Sequence, residues 1–395
     1  MNTSCFEAAP ASRLDAAPEA EHAAPDRTAC ARIAFFHQND PFETLGGVER
    51  YVSTACDTAP ERVALVSRPL ARGGTRHFPV EAAGPAGAPL WLRFVLGLFR
   101  QRREIAAFLK RNEVRVMEFS RPEYLLVGWM FPGKRVVTIH GTGPGPGHRV
   151  HYWIHHASCL LTPLFADRVQ VIGRDTSGLP RLVRALLGKR IAHVDAWCDD
   201  VFTPAPLPPL EAAEPLRVFY AGRMASQKNP KLLFEILRTA ARFAPGAFEF
   251  HYFGGDYEAF AREGLGALVT DHGFLKPPAL AEAIRGCHLG LMCSAFGEGS
   301  PYILVEALAC GRPFVVPTLP TLVGAYRGYE GVHFVEKYRA EDYLAAMQAV
   351  RAAMLRGAVD PGAIAAGVAP RARARAVPDL LDALARLGAA PESSS

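Results

Sequence analysis

The feature that most constrains the fold of this chain is a series of short apolar runs separated by segments of helical length. The first run stops at Asn39-Asp40-Pro41, as a buried strand does where a loop begins. Strands that alternate with helices build βαβ units, whose strands lie parallel in one sheet. Six such runs occur in the first half of the chain: ARIAFF, RVALVS, VRVMEFS, RVVTIHG, RVQVIG and RIAHVDAW.

A proline-rich segment without periodicity, Thr203–Pro215, interrupts this pattern and is typical of an interdomain linker. The alternation then restarts with LRVFYAG, FEFHYFGG, CHLGLMCSA, RPFVVPT and VHFVE. The 395 residues also exceed what one hydrophobic core usually serves. We therefore predict an α/β fold of two Rossmann-like, doubly wound domains. Their ligands should bind in the interdomain cleft, at the carboxyl ends of the strands.

The predicted organisation has five parts. They are a disordered leader (1–30), an N-terminal domain (31–202), the linker (203–216), a C-terminal domain (217–375) and a C-terminal helix and tail (376–395). The leader is rich in alanine, proline and acidic residues and has no apolar segment, so it does not resemble a secretory signal.

Composition excludes several classes of protein. A formal charge of +5 is too small for a dedicated nucleic-acid binder, but it is compatible with anionic small molecules or a membrane surface. The eight cysteines form no C-x-x-C pair, which argues against a zinc ribbon or a disulfide framework and favours a reducing cytosol. No run approaches the roughly 18 apolar residues of a spanning helix. We expect a cytoplasmic protein.

Two acids stand out in the stretch FGEGSPYILVEALACG. Ser300 can cap a helix that runs from about Pro301 to Cys310, which places Glu298 before the helix and Glu306 on it. Glu306 then lies on the order of 9 Å beyond the cap, about the separation between the sugar and the ribose of a nucleotide-sugar. The free N–H groups between them favour an anion. The alternative is surface charge on an ordinary helix.

Three further motifs carry polar or glycine-rich loops. Arg223 and Lys228 follow a strand and suit a diphosphate, although strand-end cations are often only solubilising. Gly46-Gly47 precedes a helical pattern, and its backbone can approach a phosphate, although a plain turn has the same pattern. His140 ends a strand and can hydrogen-bond a sugar, although a lone histidine is often structural.

Together these motifs resemble the retaining GT-B glycosyltransferases, and among them glycosyltransferase family 4. The matching stretches are LGGVER, TIHG, AGRMASQK and EGSPYILVEALACG, and the resemblance covers roughly residues 32–336. It implies that Glu298 contacts the donor sugar, Glu306 the ribose, Arg223 and Lys228 the diphosphate and Gly47 a phosphate, while His140 faces the transferred sugar. The implied catalytic residues are His140, Glu298, Arg223 and Lys228. The implied donor-binding residues are Gly46, Gly47, Gly222, Arg223, Lys228, Gly299, Ser300, Pro301, Tyr302 and Glu306.

The resemblance implies a retaining transfer of a hexose-type sugar from a nucleotide-diphosphate-sugar donor to a hydroxyl of a sugar or lipid-linked acceptor, in cell-surface glycan or glycolipid synthesis. No cofactor, metal or nucleic acid is expected. The chain has no D-x-D stretch at a strand end, and the adjacent pair Asp199-Asp200 lacks that spacing. Two alternatives remain. One is a nucleotide-sugar epimerase of the same architecture, and the other is an inactive protein that only binds a nucleotide-sugar.

The sequence departs from the family pattern on the acceptor side. Asp195-Ala196 replaces a common Asn-Gly at the domain junction, Glu118 and Ser120 replace a histidine-bearing strand end, and Gly173 replaces a common serine. These changes cast doubt on the acceptor more than on the donor.

Two weaker signals are ambiguous. His151 and His155 have a spacing that suits zinc, but no third ligand is apparent, and a helix with polar and aromatic faces is the better interpretation. Residues 91–112 form a basic amphipathic pattern, which indicates either a peripheral membrane contact or, preferably, a core-packed helix with a solvated face.

Overall fold

The computed structural model describes residues 32–43, 46–140 and 149–389, with only the backbone of 149–152. The first domain contains seven strands: β1 Arg32–His37, β2 Val63–Ser67, β3 Arg76–Pro79, β4 Val114–Phe119, β5 Lys134–Ile139, β6 Arg168–Ile172 and β7 Ile191–Val194. Its helices are α1 Gly47–Thr58, α2 Leu90–Arg100, α3 Arg102–Arg111, α4 Leu125–Gly128, α5 Arg149–Cys159, α6 Thr162–Phe165 and α7 Arg181–Leu187. The strands form one parallel sheet in the order β3-β2-β1-β4-β5-β6-β7.

The second domain repeats this arrangement. Its strands are β8 Leu216–Ala221, β9 Phe248–Phe253, β10 Val269–Asp271, β11 Leu289–Leu291, β12 Phe314–Pro317 and β13 Val332–Val335. The remaining helices are α8 Pro230–Phe243, α9 Glu258–Arg262, α10 Pro277–Gly286, α11 Tyr302–Ala309, α12 Pro320–Tyr326, α13 Ala340–Leu355, α14 Pro361–Val368 and α15 Arg373–Ala389. The sheet is again parallel, in the order β10-β9-β8-β11-β12-β13.

The predicted fold class is confirmed. Every one of the eleven apolar runs contains a strand, because a strand covered by helices on both faces must be apolar along its length. In both sheets the strand order reverses beside the first strand, between β1 and β4 and between β8 and β11. Ligands bind at such reversal points, at the carboxyl ends of the strands. The predicted domain boundaries stay predictions.

Two contacts tie the domains and the linker together. The last helix, α15, returns to the first domain, where Val377 and Leu381 pack in one buried cluster with Phe35 on β1. The fully buried Arg312 donates hydrogen bonds to the carbonyl oxygens of Ala205 and Pro206, at 2.8 and 2.9 Å, and so holds the start of the linker. A planar guanidinium with several donors suits this task.

The basic segment 91–112 is two helices, α2 and α3, which meet at Gln101. All seven of its helically spaced apolar residues are buried: Trp91, Phe94, Val95, Leu98, Ile105, Phe108 and Leu109. These side chains form the core of the first domain and are not available to a membrane. The structure therefore favours the core-packed alternative, and the membrane contact suggested for this segment stays a prediction.

Other sequence predictions concern the chain as a whole. Within the described ranges, no helix is both long enough and apolar enough to cross a membrane. The six cysteines described are free, buried thiols. The predicted leader lies outside the described residues.

Candidate active site

A cleft lined by both domains contains two connected chambers. The larger chamber has a volume of about 660 Å³ and the smaller one about 340 Å³. Gly47 from the first domain and Arg223 and Tyr302 from the second line both chambers, so the two are parts of one cleft. A volume of this size suits a small organic ligand.

The smaller chamber holds an ion pair between Glu298 and Lys228. The Lys228 ammonium donates to Glu298 Oε1 at 2.6 Å, and the Ser294 hydroxyl donates to the same oxygen at 2.7 Å. Ser294 and Glu298 belong to the loop between β11 and α11, and Lys228 to the loop between β8 and α8. Both loops follow strands at the reversal point of the second sheet, which is why these groups converge.

His140 enters the smaller chamber from the first domain, directly after β5. Burial lowers the pKa of His140 to about 3, so the imidazole is neutral near pH 7. Its buried Nε2 has no hydrogen-bond partner among the described residues. A neutral, unpaired ring nitrogen that faces a cavity is suited to bond a polar ligand.

The larger chamber holds a second ion pair, which spans the two domains. Arg50 on α1 donates through Nη1 to Glu306 on α11, and through Nη2 to Asp199 at 2.9 Å. The Arg50 guanidinium also lies 4.4 Å from the ring centroid of Tyr302. Burial raises the pKa of Glu306, and Arg50 counteracts that rise. Sequence reasoning missed Arg50.

A largely buried acid, Glu49, lies beside the Gly-Gly loop. Glu49 accepts hydrogen bonds from Asn39, at 2.8 Å, and from His37, at 3.3 Å. Although burial opposes them, these bonds lower the pKa of Glu49 to about 2. A side chain at Gly46 would collide with the Glu49 carboxylate, whereas the Cβ of a residue at Gly47 would lie 3.7 Å from the Tyr302 ring. The loop therefore approaches the second domain as bare backbone.

Arg223 is the cation common to both chambers. It follows Gly222, whose φ of 146° favours glycine. Arg223 is exposed and makes no hydrogen bond or ion pair within the part of the chain that the structure describes. A free guanidinium between two chambers is placed to meet an anion that extends from one to the other.

The start of α11 differs from the sequence prediction. The helix begins at Tyr302 with Pro301 as its N-cap residue, so Ser300 does not cap it. Instead, Ser300 Oγ accepts a hydrogen bond from the backbone N–H of Ala196, at 3.0 Å, and so links the domains. The N–H groups of Tyr302 and Ile303, the first two residues of α11, have no partner within the helix.

Gly173 shows why the chain lacks the common serine at this strand end. It has a φ of +87°, and a Cβ there would lie 2.3 Å from the backbone oxygen of Gly299. Only glycine allows β6 and the Glu298 loop to approach this closely.

An apolar wall closes the far end of the larger chamber. Phe253, Phe274 and Leu275 line it, together with Gly254 and Gly255. Such a wall can hold a flat aromatic group, and the adjoining backbone can supply hydrogen bonds. Sequence reasoning did not identify it, because these residues lie at the end of β9 and after β10 without a polar motif.

All twelve residues predicted for the site line one chamber or both. His140, Glu298, Lys228, Gly299, Ser300 and Pro301 line the smaller chamber, Gly46, Gly222 and Glu306 the larger one, and Gly47, Arg223 and Tyr302 both. Their individual roles stay predictions.

The residues missed by sequence reasoning include Arg50 and Ser294. The described residues contain no group of three or more potential metal ligands. His155 contacts the buried Glu123 at 3.5 Å, whereas the side chain of His151 lies outside the description.

Comparison with known proteins gives a match in the second domain. Residues 215–352 match the family model described as glycosyl transferases group 1. The second domain is therefore similar to the domain of this family, in agreement with the resemblance predicted from the sequence. No curated protein sequence matches the chain.

Solved structures of glycosyltransferases share the two-domain fold. The Anabaena protein HepE in complex with UDP and glucose is 15% identical, with a TM-score of 0.67 over 90% of this chain and 99% of its own. Sucrose-phosphate synthase from Thermosynechococcus elongatus is 18% identical, with a TM-score of 0.64 over 90% and 96%. The lipopolysaccharide outer core galactosyltransferase WaaB is 18% identical, with a TM-score of 0.62 over 89% and 99%. The GT-B architecture predicted from the sequence is thereby confirmed.

Proposed function

We propose that this glycosyltransferase moves a hexose-type sugar from a nucleotide-diphosphate-sugar to an acceptor hydroxyl, with retention of configuration. The observation that carries the proposal is the division of one cleft into two chambers, with Glu306 in one, Glu298 in the other and Arg223 between them. A nucleotide-sugar has the same order of parts: a nucleoside, a diphosphate and a sugar. The nucleoside would occupy the larger chamber and the sugar the smaller one.

The proposed chemistry depends on stabilising the leaving diphosphate. Arg223, Lys228 and the first N–H groups of α11 would neutralise its growing charge as the bond from the anomeric carbon breaks. The acceptor oxygen bonds to the same carbon, and its proton passes to the departing phosphate. Because Glu298 Oε1 accepts hydrogen bonds from Lys228 and Ser294, we assign this acid to holding the Lys228 ammonium rather than to attack on the sugar. The mechanism therefore needs no covalent sugar–enzyme intermediate.

His140 would orient the transferred sugar. Because its pKa lies near 3, the ring stays neutral and offers a hydrogen bond without adding positive charge. With fixed cations at the diphosphate, we propose that catalysis needs no divalent metal.

The comparisons suggest which ligands to test. HepE was solved with UDP, with UDP-glucose and with UDP and glucose, so UDP-glucose is the first donor to test on this chain. WaaB acts on lipopolysaccharide, which supports a role in cell-surface glycan or glycolipid synthesis and a sugar or lipid-linked acceptor. The six free thiols suit the reducing cytoplasm, where nucleotide-sugars are used.

A thermal-shift screen of nucleotide-sugars tests the donor, since a ligand that binds only the folded state raises its apparent stability. Glu306→Gln should weaken donor binding and Glu298→Gln should chiefly slow turnover, each by about 1.5–3 kcal/mol. The exposed Glu258→Gln serves as the matched control. If both variants bind and react like the parent, the two acids have no role in the site.

Product analysis separates the alternatives. NMR of the product should show the anomeric configuration of the donor. Isomerisation of UDP-glucose without an acceptor would identify an epimerase, and binding without any turnover would identify an inactive binding protein.

A further inference from the structure

One side of the first domain exposes large apolar side chains on three neighbouring helical segments. On α4 and just after it, Leu126 and Trp129 are 47% and 48% exposed. Around α6 and on α7 the exposure rises to 75% at Leu164 and 63% at Leu182. We call these residues the apolar face: Leu126, Trp129, Leu160, Leu164, Leu182 and Leu186.

The three segments are in direct contact, so the face is continuous. The Trp129 ring stacks on Phe165 of α6, with the ring centroids 5.9 Å apart. Arg190 Nη2 donates to the carbonyl oxygen of Pro163 on α6 at 3.0 Å and to that of Leu186 on α7 at 3.4 Å. In contrast, the exposed large apolar residues of the second domain lie singly on separate elements: Phe243, Leu268, Phe274, Tyr338 and Leu355.

The exposed charges along the apolar face have one sign. Residues 153–166 and 181–190 contain Arg181, Arg184, Lys189 and Arg190 but no aspartate or glutamate. The one acid of residues 121–131, Glu123, is fully buried and paired with Arg121 at 3.1 Å. Arg181 and Lys189 are exposed at the two ends of α7. The next acid along the chain, Asp167, is already paired with Lys134 at 3.2 Å. The face therefore presents apolar side chains beside two exposed cations, Arg181 and Lys189, which have no acidic partner among the described residues.

We propose that the apolar face docks the protein on an anionic lipid membrane. Leucine and tryptophan side chains enter the boundary between headgroups and acyl chains, while lysine and arginine remain with the anionic headgroups. An exposed apolar patch by itself fits a protein partner equally well. The exposed charges beside the face are all positive, and this favours a lipid surface. A membrane with many anionic headgroups complements such cations, and no acidic residue on the face is needed.

Vesicle sedimentation of the full chain tests the proposal without any sugar transfer, so its result is separate from that of the proposed function. The probes are vesicles of phosphatidylcholine alone and of phosphatidylcholine with one third phosphatidylglycerol. The wild type should pellet with the anionic vesicles and not with the neutral ones. Leu164→Glu and Leu182→Glu should each reduce binding about tenfold or more.

Matched variants elsewhere locate the surface. Phe243→Glu changes an equally exposed apolar residue of the second domain and should bind like the wild type. Lys189→Glu should weaken binding to anionic vesicles, whereas Arg103→Glu, on the exposed side of α3, should not. Equal pelleting with both kinds of vesicle, or none with either, overturns the proposal. The proposal is also overturned if the wild type is a dimer in the absence of lipid and Leu164→Glu makes it a monomer, because the face would then bind a second copy of the chain.

Discussion

Glu298 and Glu306 lie eight positions apart and are almost equally buried, at 5% and 2% exposure, yet their charges are balanced differently. Glu298 takes its cation, Lys228, from its own domain, and it also accepts a hydrogen bond from Ser294. Glu306 takes its cation, Arg50, from the opposite domain. The first pair can form in the second domain alone, whereas the second pair exists only while the domains lie together.

This difference separates two tasks. The Arg50–Glu306 pair joins the domains across the chamber proposed for the nucleoside, so a ribose that binds Glu306 must share it with Arg50. Arg50 has a second acceptor in Asp199 and would not lose all its partners in that exchange. Lys228, by contrast, lies where the diphosphate is proposed to leave. We expect Arg50 to affect stability and Lys228 to affect turnover.

The largest expected effect is the loss of stability in Arg50→Met. Glu306 would become a buried carboxylate without a cation, and breaking such a pair typically costs about 3–5 kcal/mol. Lys228→Met should cost less, about 1–3 kcal/mol, because Ser294 still donates to Glu298. The two cations are matched, since both side chains are 23% exposed. Urea unfolding measures both, and an equal loss in the two variants would contradict the comparison.

Turnover should show the opposite order. Lys228→Ala and Arg223→Ala should each reduce kcat on the order of a hundredfold, as removal of one transition-state donor commonly does. Lys231→Ala, an exposed lysine at the start of α8, is the control and should leave kcat unchanged. Steady-state kinetics at saturating UDP-glucose measures the effect. A similar loss in the Lys231 variant would show that general charge matters rather than position.

Within the described part of the chain, a third buried acid, Glu118, has no cation beside it, and its pKa is raised. Glu118 on β4 is fully buried, and both carboxyl oxygens lack a hydrogen-bond partner among the described residues. Burial raises the pKa of Glu118 from 4.5 to about 8. Between these values the folded chain keeps a proton that the unfolded chain has released, so stability falls as pH rises.

Glu118→Gln should remove this pH dependence. From about pH 6 to pH 7.5 the wild type should lose about 2 kcal/mol relative to the variant, since one pKa unit corresponds to about 1.4 kcal/mol. Urea unfolding at several pH values measures the difference, with the exposed Glu258→Gln as control. Parallel curves for the wild type and Glu118→Gln would mean that Glu118 is already ionised in the folded chain.

The fold was predictable because parallel strands covered on both faces are apolar throughout. The two strands that sequence reasoning missed, β3 and β10, lie at sheet edges. Their sequences, RHFP and VTD, are short and partly polar. An edge strand pairs with a neighbouring strand on one side only, so it is less enclosed than a central strand. The apolar run, which identified the other strands in the sequence, is a weak signal at a sheet edge.

The site was predictable in its membership but not in its pairing. Loops after strands meet at one edge of each sheet, so Lys228 and Glu298 were expected in the cleft, but as separate contacts to a ligand rather than as partners. Arg50 and Glu306 are 256 positions apart and meet only through the arrangement of the domains, which no local pattern encodes. Gly173 is similar, since its lack of a side chain is explained by the approach of Gly299.

The smallest expected effect, none at all, concerns metal removal. Charge on a leaving diphosphate is stabilised either by a metal held on carboxylates or by fixed cations and backbone donors. In this cleft both acids are already paired with protein cations, and Arg223 remains free of partners within the described residues. Excess EDTA should therefore leave the rate of sugar transfer unchanged while Lys228→Ala reduces it. A loss of activity in EDTA that magnesium or manganese restores, in an enzyme whose Lys228→Ala variant is unimpaired, would assign the charge to a metal. The Glu298–Lys228 pair would then serve stability, like the Glu306–Arg50 pair.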